Sequence, residues 1–208
     1  MIISVVNLKG GVGKTTTAVA LATAASRDGK DVELYDCDPQ SSASLWAMTA
    51  EENDDPLPFP VSSANVATVR MAGRKLKNDP DRWLFIDCPP NGAVTDEATD
   101  ASDFVVVPTS TGPADLVKTF ETARTLTNKG VFYAVLLTQV AMNTLSFTQA
   151  VSEMREGDLS YFDNQIRRRE RLKNFFGNSF GDDLFGYEVI WEDMKQILSE
   201  DEEINYGN

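Results

Sequence analysis

NLKGGVGK, residues 7–14, is the stretch that decides the fold of this 208-residue chain. An apolar run typical of a buried strand precedes it, and an alanine-rich segment typical of a helix follows it (residues 14–29). Glycines in such a turn let backbone amides point at phosphate oxygens, and the helix N-terminus adds free N–H groups. Lys14 can reach the β- and γ-phosphates, and the Thr15 hydroxyl can ligate Mg²⁺. The stretch therefore predicts a phosphate-binding loop (P-loop) for a nucleotide with Mg²⁺.

The rest of the chain alternates apolar runs with helical stretches. Continuously apolar strands separated by helices indicate an α/β fold with a doubly wound, mostly parallel sheet and helices on both faces. The length suits a single domain over residues 1–208, in which residues 200–208 form an acidic tail that could be disordered. Further strands are predicted at residues 31–36, 82–87, 104–108 and 131–138.

Two other parts of the chain give weaker patterns. Residues 51–60 are polar and rich in proline, which predicts an exposed connection. Near the C-terminus the pattern predicts a basic helix from Arg167 and a terminal helix from about Glu188 to Leu198.

Composition excludes several classes of protein. No run of eighteen apolar residues occurs, so nothing is expected to span a membrane, and the N-terminus lacks the pattern of a signal peptide. The formal net charge is −13, so any DNA must meet a local basic patch. The chain has no histidine, the commonest general base. Chemistry must therefore rest on Lys, Asp, Ser/Thr, backbone amides or a bound ion.

KGGVGKTT, residues 9–16, resembles the deviant Walker A motif of the ParA/MinD family of ATPases. The common P-loop has a glycine where this chain has Leu8, and an extra lysine follows. In that family the early lysine crosses a dimer interface and touches the partner's nucleotide, which implies this role for Lys9. The resemblance implies a slow, partner-stimulated ATPase with ATP and Mg²⁺ as cofactors. It implies nucleotide binding by Lys9, Gly10, Gly11, Val12, Gly13, Lys14, Thr15 and Thr16.

A lysine donated across a dimer has a physical rationale. ATP held between two subunits places several negative charges at the interface, and Lys9 would neutralise part of them. ADP offers less of this attraction, so the homodimer would depend on ATP. The alternative is that Lys9 is an exposed lysine of its own subunit.

Two further loops carry aspartates at strand ends. DCDPQ (residues 36–40) resembles the first switch of the family, which implies that Asp38 acts in catalysis on the attacking water, together with Lys9 and Lys14. Asp36 and Asp87 would support Mg²⁺ with Thr15, the two aspartates through water, because Mg²⁺ retains several waters. Asp87 ends the apolar stretch WLFID (residues 83–87) and resembles the second Walker motif. The alternatives are an ordinary Asp-Pro turn and a helix-capping aspartate.

The expected partners follow from the family and from charge. Small ParA-type members bind nonspecific DNA and position plasmids, chromosomes or other cargo with a centromere-binding or adaptor protein that stimulates hydrolysis. IRRRERLK (residues 166–173) is the most basic segment, and it predicts DNA contacts from Arg167, Arg168, Arg171 and Lys173. A solvated helix face that balances the acidic tail is the alternative, and for Arg169 the alternative is a fold-level or nucleotide role. The resemblance implies a cytoplasmic protein that joins the nucleoid when ATP is bound.

Three other interpretations are alternatives to a partition-type ATPase. A MinD-like membrane-surface ATPase would need a basic terminal helix, whereas residues 187–208 are acidic. A metabolic P-loop synthetase or kinase is disfavoured by Lys9 and by the DCDPQ loop. An iron–sulfur protein would need interface cysteines, but Cys37 and Cys88 lie within the motif loops.

Overall fold

A computed structural model describes residues 1–76 and 81–206, without the side chains of Lys173 and of residues 201–206. Six strands and eight helices are assigned in these ranges. The strands are β1 (Ile2–Val5), β2 (Asp31–Asp36), β3 (Val61–Ser63), β4 (Arg82–Asp87), β5 (Phe104–Thr109) and β6 (Tyr133–Leu137). The helices are α1 (Lys14–Arg27), α2 (Ser42–Glu52), α3 (Val66–Leu76), α4 (Ala93–Ala101), α5 (Pro113–Lys129), α6 (Leu145–Glu156), α7 (Glu170–Lys173) and α8 (Tyr187–Tyr206).

The strands form one parallel sheet in the order β3-β2-β4-β1-β5-β6. Strand β1 pairs with β4 on one side and with β5 on the other, so the chain order reverses beside it. Ligands bind at such a switch point, outside the carboxyl ends of the strands. The P-loop leaves β1 there, and the register that pairs Asp36 with Asp87 brings the other two loops to the same edge.

Two hydrophobic clusters cover the two faces of the sheet. Phe85 points into the cluster that holds α1 and α8, whereas its neighbours Leu84 and Ile86 point into the cluster that holds parts of α3 to α6. Alternate residues of one strand thus face opposite helical layers, which is why these strands are continuously apolar. The predicted doubly wound α/β fold is confirmed. Within the described ranges, no helix has the length and apolarity needed to cross a membrane.

The structure corrects three local predictions. The terminal helix does not end near Leu198, since α8 continues to Tyr206, into the segment predicted as a tail. The basic helix predicted from Arg167 is wrong, since α7 spans only Glu170–Lys173 and Arg167 to Arg169 precede it. Arg167 forms an isolated parallel bridge with Val140, and the Arg168 amide donates to the Val140 carbonyl at 2.9 Å. These bonds extend the sheet edge and hold the segment out of a helix. The proline-rich connection also leads directly into the unpredicted edge strand β3, and its Phe59 is buried.

Candidate nucleotide-binding site

The P-loop adopts a conformation that its glycines make accessible. Gly11 has a φ of +79° and Gly13 a φ of +90°, which side-chain-bearing residues rarely adopt. Gly13 is the N-cap of α1, so the free amides of the first helical turn face the loop. This supports the predicted cradle for phosphate oxygens.

Residues at the end of β6 fix the loop from behind. The Thr138 hydroxyl lies 2.8 Å from the Val12 carbonyl and 3.1 Å from the Thr109 carbonyl, and it is buried. The side-chain amide of Gln139 donates to the Gly11 carbonyl at 3.3 Å. Holding carbonyls outward leaves the loop amides free to face a ligand. Sequence reasoning missed both residues, because a Thr-Gln pair after a strand carries no motif.

A cavity of about 800 Å³ opens in front of the P-loop. Its wall includes the predicted residues Gly10, Gly11, Gly13, Lys14, Thr15, Thr16 and Asp38. Pro89 and Pro90 border it from the loop after β4, and Trp46 and Phe176 add an aromatic side. The structure thus brings the P-loop and both aspartate-bearing loops around one space of nucleotide size. Val12 is buried behind the loop, where its carbonyl accepts from Thr138.

Lys14 is the buried cation of this cavity. Its exposed fraction is 7 %, and its ammonium donates to the Lys9 carbonyl at 3.1 Å. Burial lowers the pKa of Lys14, while the negative charges of Asp87 and then Asp38 act in the opposite sense. A phosphate group would supply the counter-charge that this desolvated ammonium lacks.

The two buried aspartates differ in their bonding. Both oxygens of Asp36 are used, since they accept from the backbone amides of Asp38 at 3.2 Å and Ser44 at 2.7 Å. Neither oxygen of Asp87 has a hydrogen-bond partner within the described residues. Burial raises the pKa of Asp87 to about 7, and the Thr15 hydroxyl lies near enough to oppose this rise without completing a hydrogen bond.

This difference tests whether the site suits Mg²⁺. An orphaned buried carboxylate beside the Thr15 hydroxyl provides the oxygen chemistry that Mg²⁺ prefers, so the residues fit the ion. Asp36 instead fixes the turn that carries Asp38. No group of three acidic, cysteine or histidine side chains able to hold a metal occurs in the described part of the chain. Mg²⁺ in proteins commonly keeps several waters and uses only one or two carboxylates, so the Thr15 hydroxyl and the Asp87 carboxylate would suffice as protein ligands.

Lys9 lies apart from this arrangement. Its side chain is 43 % exposed, and its ammonium pairs with the Asp115 carboxylate on α5 at 3.5 Å. It is not among the residues that line the cavity. The structure thus places the two lysines of the motif in different surroundings.

A smaller cavity of about 120 Å³ adjoins the other side of the P-loop. Gly13 and Thr16 border both cavities, and Thr138 and Gln139 continue the wall. Arg167, Arg168 and Arg169 form its far side, which their predicted place on a helix face did not suggest. All three remain exposed, as does Arg171, whose guanidinium lies over the Phe185 ring. The side chain of Lys173 lies outside the described part of the structure.

Comparisons with known proteins give a consistent result. The family model described as "CobQ/CobB/MinD/ParA nucleotide binding domain" matches residues 3–178. Maintenance of carboxysome distribution protein A of Gloeobacter kilaueensis is 35 % identical over 170 residues, covering 80 % of this chain and 76 % of that protein. The chromosome-partitioning ATPase Soj of Thermus thermophilus is 31 % identical over 186 residues, covering 74 % and 75 %.

A solved structure agrees in fold. A plasmid partition protein from Borrelia burgdorferi bound to AMPPNP has a TM-score of 0.75 at 19 % identity, covering 96 % of this chain and 98 % of that chain. These matches confirm the predicted resemblance, the fold and the class of ATPase. The chain therefore belongs to the CobQ/CobB/MinD/ParA family of nucleotide-binding domains.

Proposed function

We propose that this chain is a ParA-type ATPase that forms a homodimer around ATP and uses hydrolysis to release it. The observation that carries this proposal is the separation of the two lysines. Lys14 is buried in the nucleotide cavity, whereas Lys9 is half-exposed and outside its wall. A lysine that serves only its own nucleotide gains nothing from this position, but a second subunit facing the cavity could be reached from it.

The geometry of the cavity supports the following proposed roles. Lys14 and the P-loop amides hold the β- and γ-phosphates, and Thr15 with Asp87 supports Mg²⁺, which neutralises charge on the transferred group. Asp38 borders the same cavity and orients the attacking water. Lys9 of the partner subunit stabilises charge on the γ-phosphoryl group. Asp36 acts through the switch turn that it anchors, with any contact to Mg²⁺ made through water.

Light scattering with Mg·ADP and with a slowly hydrolysed ATP analogue tests the dimer. We expect twice the monomer mass with the analogue alone. A monomer under both conditions would contradict the proposal and favour a monomeric kinase or synthetase.

We further propose that the dimer binds nonspecific DNA through Arg167, Arg168, Arg171 and Lys173. The first three side chains are exposed, and a dimer presents the cluster twice, so a protein of net charge −13 could still hold phosphates. Because Arg167 and Arg168 also border the small cavity beside the P-loop, bound nucleotide could order them. Retention on DNA should require the ATP analogue and weaken steeply with salt.

A triple variant tests this surface. Changing Arg167, Arg168 and Arg171 to alanine should abolish retention on DNA, whereas a triple change of Arg27, Arg74 and Arg155 removes equal charge elsewhere and should retain it. Equal retention by both triple variants would contradict the proposed surface.

The remaining expectations concern partner and cargo. We propose a cytoplasmic, single-domain protein that joins the nucleoid with ATP bound and is stimulated by a basic centromere-binding or adaptor protein, to which an acidic surface is complementary. The relatives named above act on carboxysome distribution and on chromosome partitioning. Neighbouring genes distinguish these cargoes: a small DNA-binding protein supports partition, and a compartment-shell gene supports an organelle.

A further inference from the structure

Helix α2 begins at the turn that carries Asp38 and leads away from it. The Ser44 amide donates to the Asp36 carboxylate at 2.7 Å, and the Ser41 amide donates to the Asp38 carbonyl at 2.8 Å. The helix starts at Ser42 and holds 11 residues, so it extends about 16 Å from this turn. Because a helix is a rigid element, a movement of the turn is carried to the other end of α2.

The side chains of α2 hold residues 174–180, which we call the arm. The Asn53 side-chain amide at the end of α2 donates to the Gly177 carbonyl at 2.7 Å. The Trp46 indole N–H donates to the Asn178 carbonyl at 2.8 Å. The helix thus fixes the backbone carbonyls of two consecutive arm residues.

Asp55 completes this attachment just beyond the helix. Its carboxylate accepts from the Ser179 amide at 2.8 Å and from the Ser179 hydroxyl at 2.6 Å. The Asp55 amide donates to the Ala50 carbonyl of the last helical turn at 2.9 Å. Gly177 packs so closely on α2 that a Cβ added there would lie 2.8 Å from the Thr49 Cβ. The arm is therefore bonded to α2 and packed tightly against it.

The arm continues directly from the arginine segment, which comprises residues 167–171. The Asn174 amide donates to the Arg171 carbonyl at 3.0 Å, and the Phe175 amide donates to the Leu172 carbonyl at 3.4 Å. These bonds join the arginine segment and α7 to the arm through successive turns. A displacement of the arm would therefore reach the arginines.

We infer that Trp46, Asn53 and Asp55 are positioning residues for the arginine segment, through which α2 makes the placement of that segment depend on the γ-phosphate. The consequence for DNA binding rests on the proposed function. In P-loop GTPases the switch loops are ordered by the γ-phosphate and released on hydrolysis. Asp38 borders the nucleotide cavity, so a γ-phosphate that fixes its turn also fixes α2 and the arm.

Nucleotide could also act on the arginines without α2, because Arg167 to Arg169 border the small cavity beside the P-loop. ADP and ATP share the base, the ribose and two phosphates, so a direct effect of these parts is common to both. The difference between ADP and an ATP analogue isolates the γ-phosphate. A role of Trp46, Asn53 and Asp55 that was only structural would leave this difference unchanged.

Hydrogen–deuterium exchange of residues 167–173, read by mass spectrometry, reports how firmly the arginine segment is held. At saturating nucleotide, wild type should exchange about twofold to tenfold more slowly with a slowly hydrolysed ATP analogue than with Mg·ADP, an effect of the size of one hydrogen bond. Gly177→Ala forces a methyl group against Thr49 and should remove this difference. Gly181→Ala is the matched control and should keep it. Gly181 also has a positive φ, +47°, but a Cβ there would have open space among the described residues.

A milder pair of variants decides the matter if Gly177→Ala fails to fold. Asn53→Asp replaces the donor that faces the Gly177 carbonyl, and it should reduce the difference between the two nucleotides. Asn178→Asp adds the same charge but removes only a bond within the arm, to the Phe176 carbonyl at 3.3 Å, and should keep the difference. Equal exchange of wild type with both nucleotides would overturn the inference. So would a full difference in the folded Gly177→Ala or in Asn53→Asp, which is also the result expected if a dimer simply covers the arginines.

Retention on DNA distinguishes this inference from the proposed function. If wild type shows the exchange difference that Gly177→Ala lacks, but is not retained on DNA, the proposed DNA binding fails and the role of α2 stands. If wild type is retained only with the analogue, while Gly177→Ala keeps the full exchange difference, the DNA binding stands and the role of α2 is overturned.

Discussion

The two lysines of the P-loop stand five residues apart, yet the fold treats them in opposite ways. Lys14 is 7 % exposed and bonded to its own loop, near Asp87 and Asp38. Lys9 is 43 % exposed in its side chain and pairs with a carboxylate on a different helix. A desolvated ammonium is committed to the ligand of its own cavity, whereas an exposed one exchanges partners at little cost. The comparison teaches that one motif can hold two lysines with different tasks, one fixed in its own cavity and one able to exchange its partner.

The largest effect, a loss of nucleotide affinity, is expected from a substitution of Lys14. Lys14→Ala should lower the affinity for ATP at least tenfold and up to about 150-fold, because it removes a charge-assisted contact to phosphate. Lys9→Ala should change monomer affinity less than threefold, since Lys9 lies outside the cavity wall. Titration of a fluorescent nucleotide at a protein concentration below the dimer range measures both. Similar losses in the two variants would contradict the division of roles.

Removing the hydrogen bond that holds the P-loop from behind should have an intermediate effect. Thr138→Val keeps the shape of the side chain but leaves the Val12 carbonyl without its hydroxyl donor. Loss of one buried hydrogen bond costs about 1 to 3 kcal/mol, so nucleotide affinity or the folding equilibrium should fall by about fivefold to 150-fold. Thr138→Ser is the control, because it retains the hydroxyl. Wild-type behaviour of Thr138→Val in both nucleotide titration and urea unfolding would show that the loop needs no such support.

The smallest effect is a dependence of stability on pH, and it arises from Asp87 in the surroundings of Lys14. Burial raises the pKa of Asp87 to about 7 in the native state, whereas the ordinary pKa of this group is 3.8. Between these two pH values the native state keeps a proton on Asp87 that the unfolded state has released. Wild-type stability should therefore fall as pH rises through this window, and Asp87→Asn should lack this loss. As pH rises, the unfolding free energy of wild type should fall relative to that of Asp87→Asn by up to about 1.4 kcal/mol per pH unit.

Urea unfolding of the nucleotide-free proteins at pH 5, 6 and 7 measures this shift. Asp31→Asn, at the exposed opposite end of the neighbouring strand β2, should show no comparable slope. A difference between Asp87→Asn and wild type that stays constant with pH would mean that Asp87 titrates normally.

The parts of the fold that follow local rules could be predicted from sequence. The positive φ values at Gly11 and Gly13 are available to glycine, and continuous apolar strands indicate burial on both faces, so the P-loop and the parallel sheet follow from local pattern. The convergence of Asp38 and Asp87 on that loop follows from parallel topology, because their strands end at one edge.

Other features depend on pairings that local pattern does not encode. Arg167 to Arg169 have the composition of a helix, but bonds to Val140 at the sheet edge hold them extended beside the P-loop. Strand β3 has three residues and no alternation to detect. The pairing of Lys9 with Asp115 joins positions more than a hundred residues apart, and no motif marks Asp115 as its partner. Tertiary context therefore decides where the charged groups lie.

The central claim, that Lys9 acts across a dimer, is tested most directly by mixing two inactive variants. Lys9→Ala keeps Asp38, and Asp38→Ala keeps Lys9, so a mixed dimer holds one complete site only if Lys9 is donated by the partner. Single-turnover hydrolysis by an equal mixture should recover about a quarter of the wild-type rate, since half of the dimers are mixed and each has one complete site. A mixture no faster than the mean of its two components would contradict the account, as would equal recovery when Lys9→Ala/Asp38→Ala replaces Asp38→Ala.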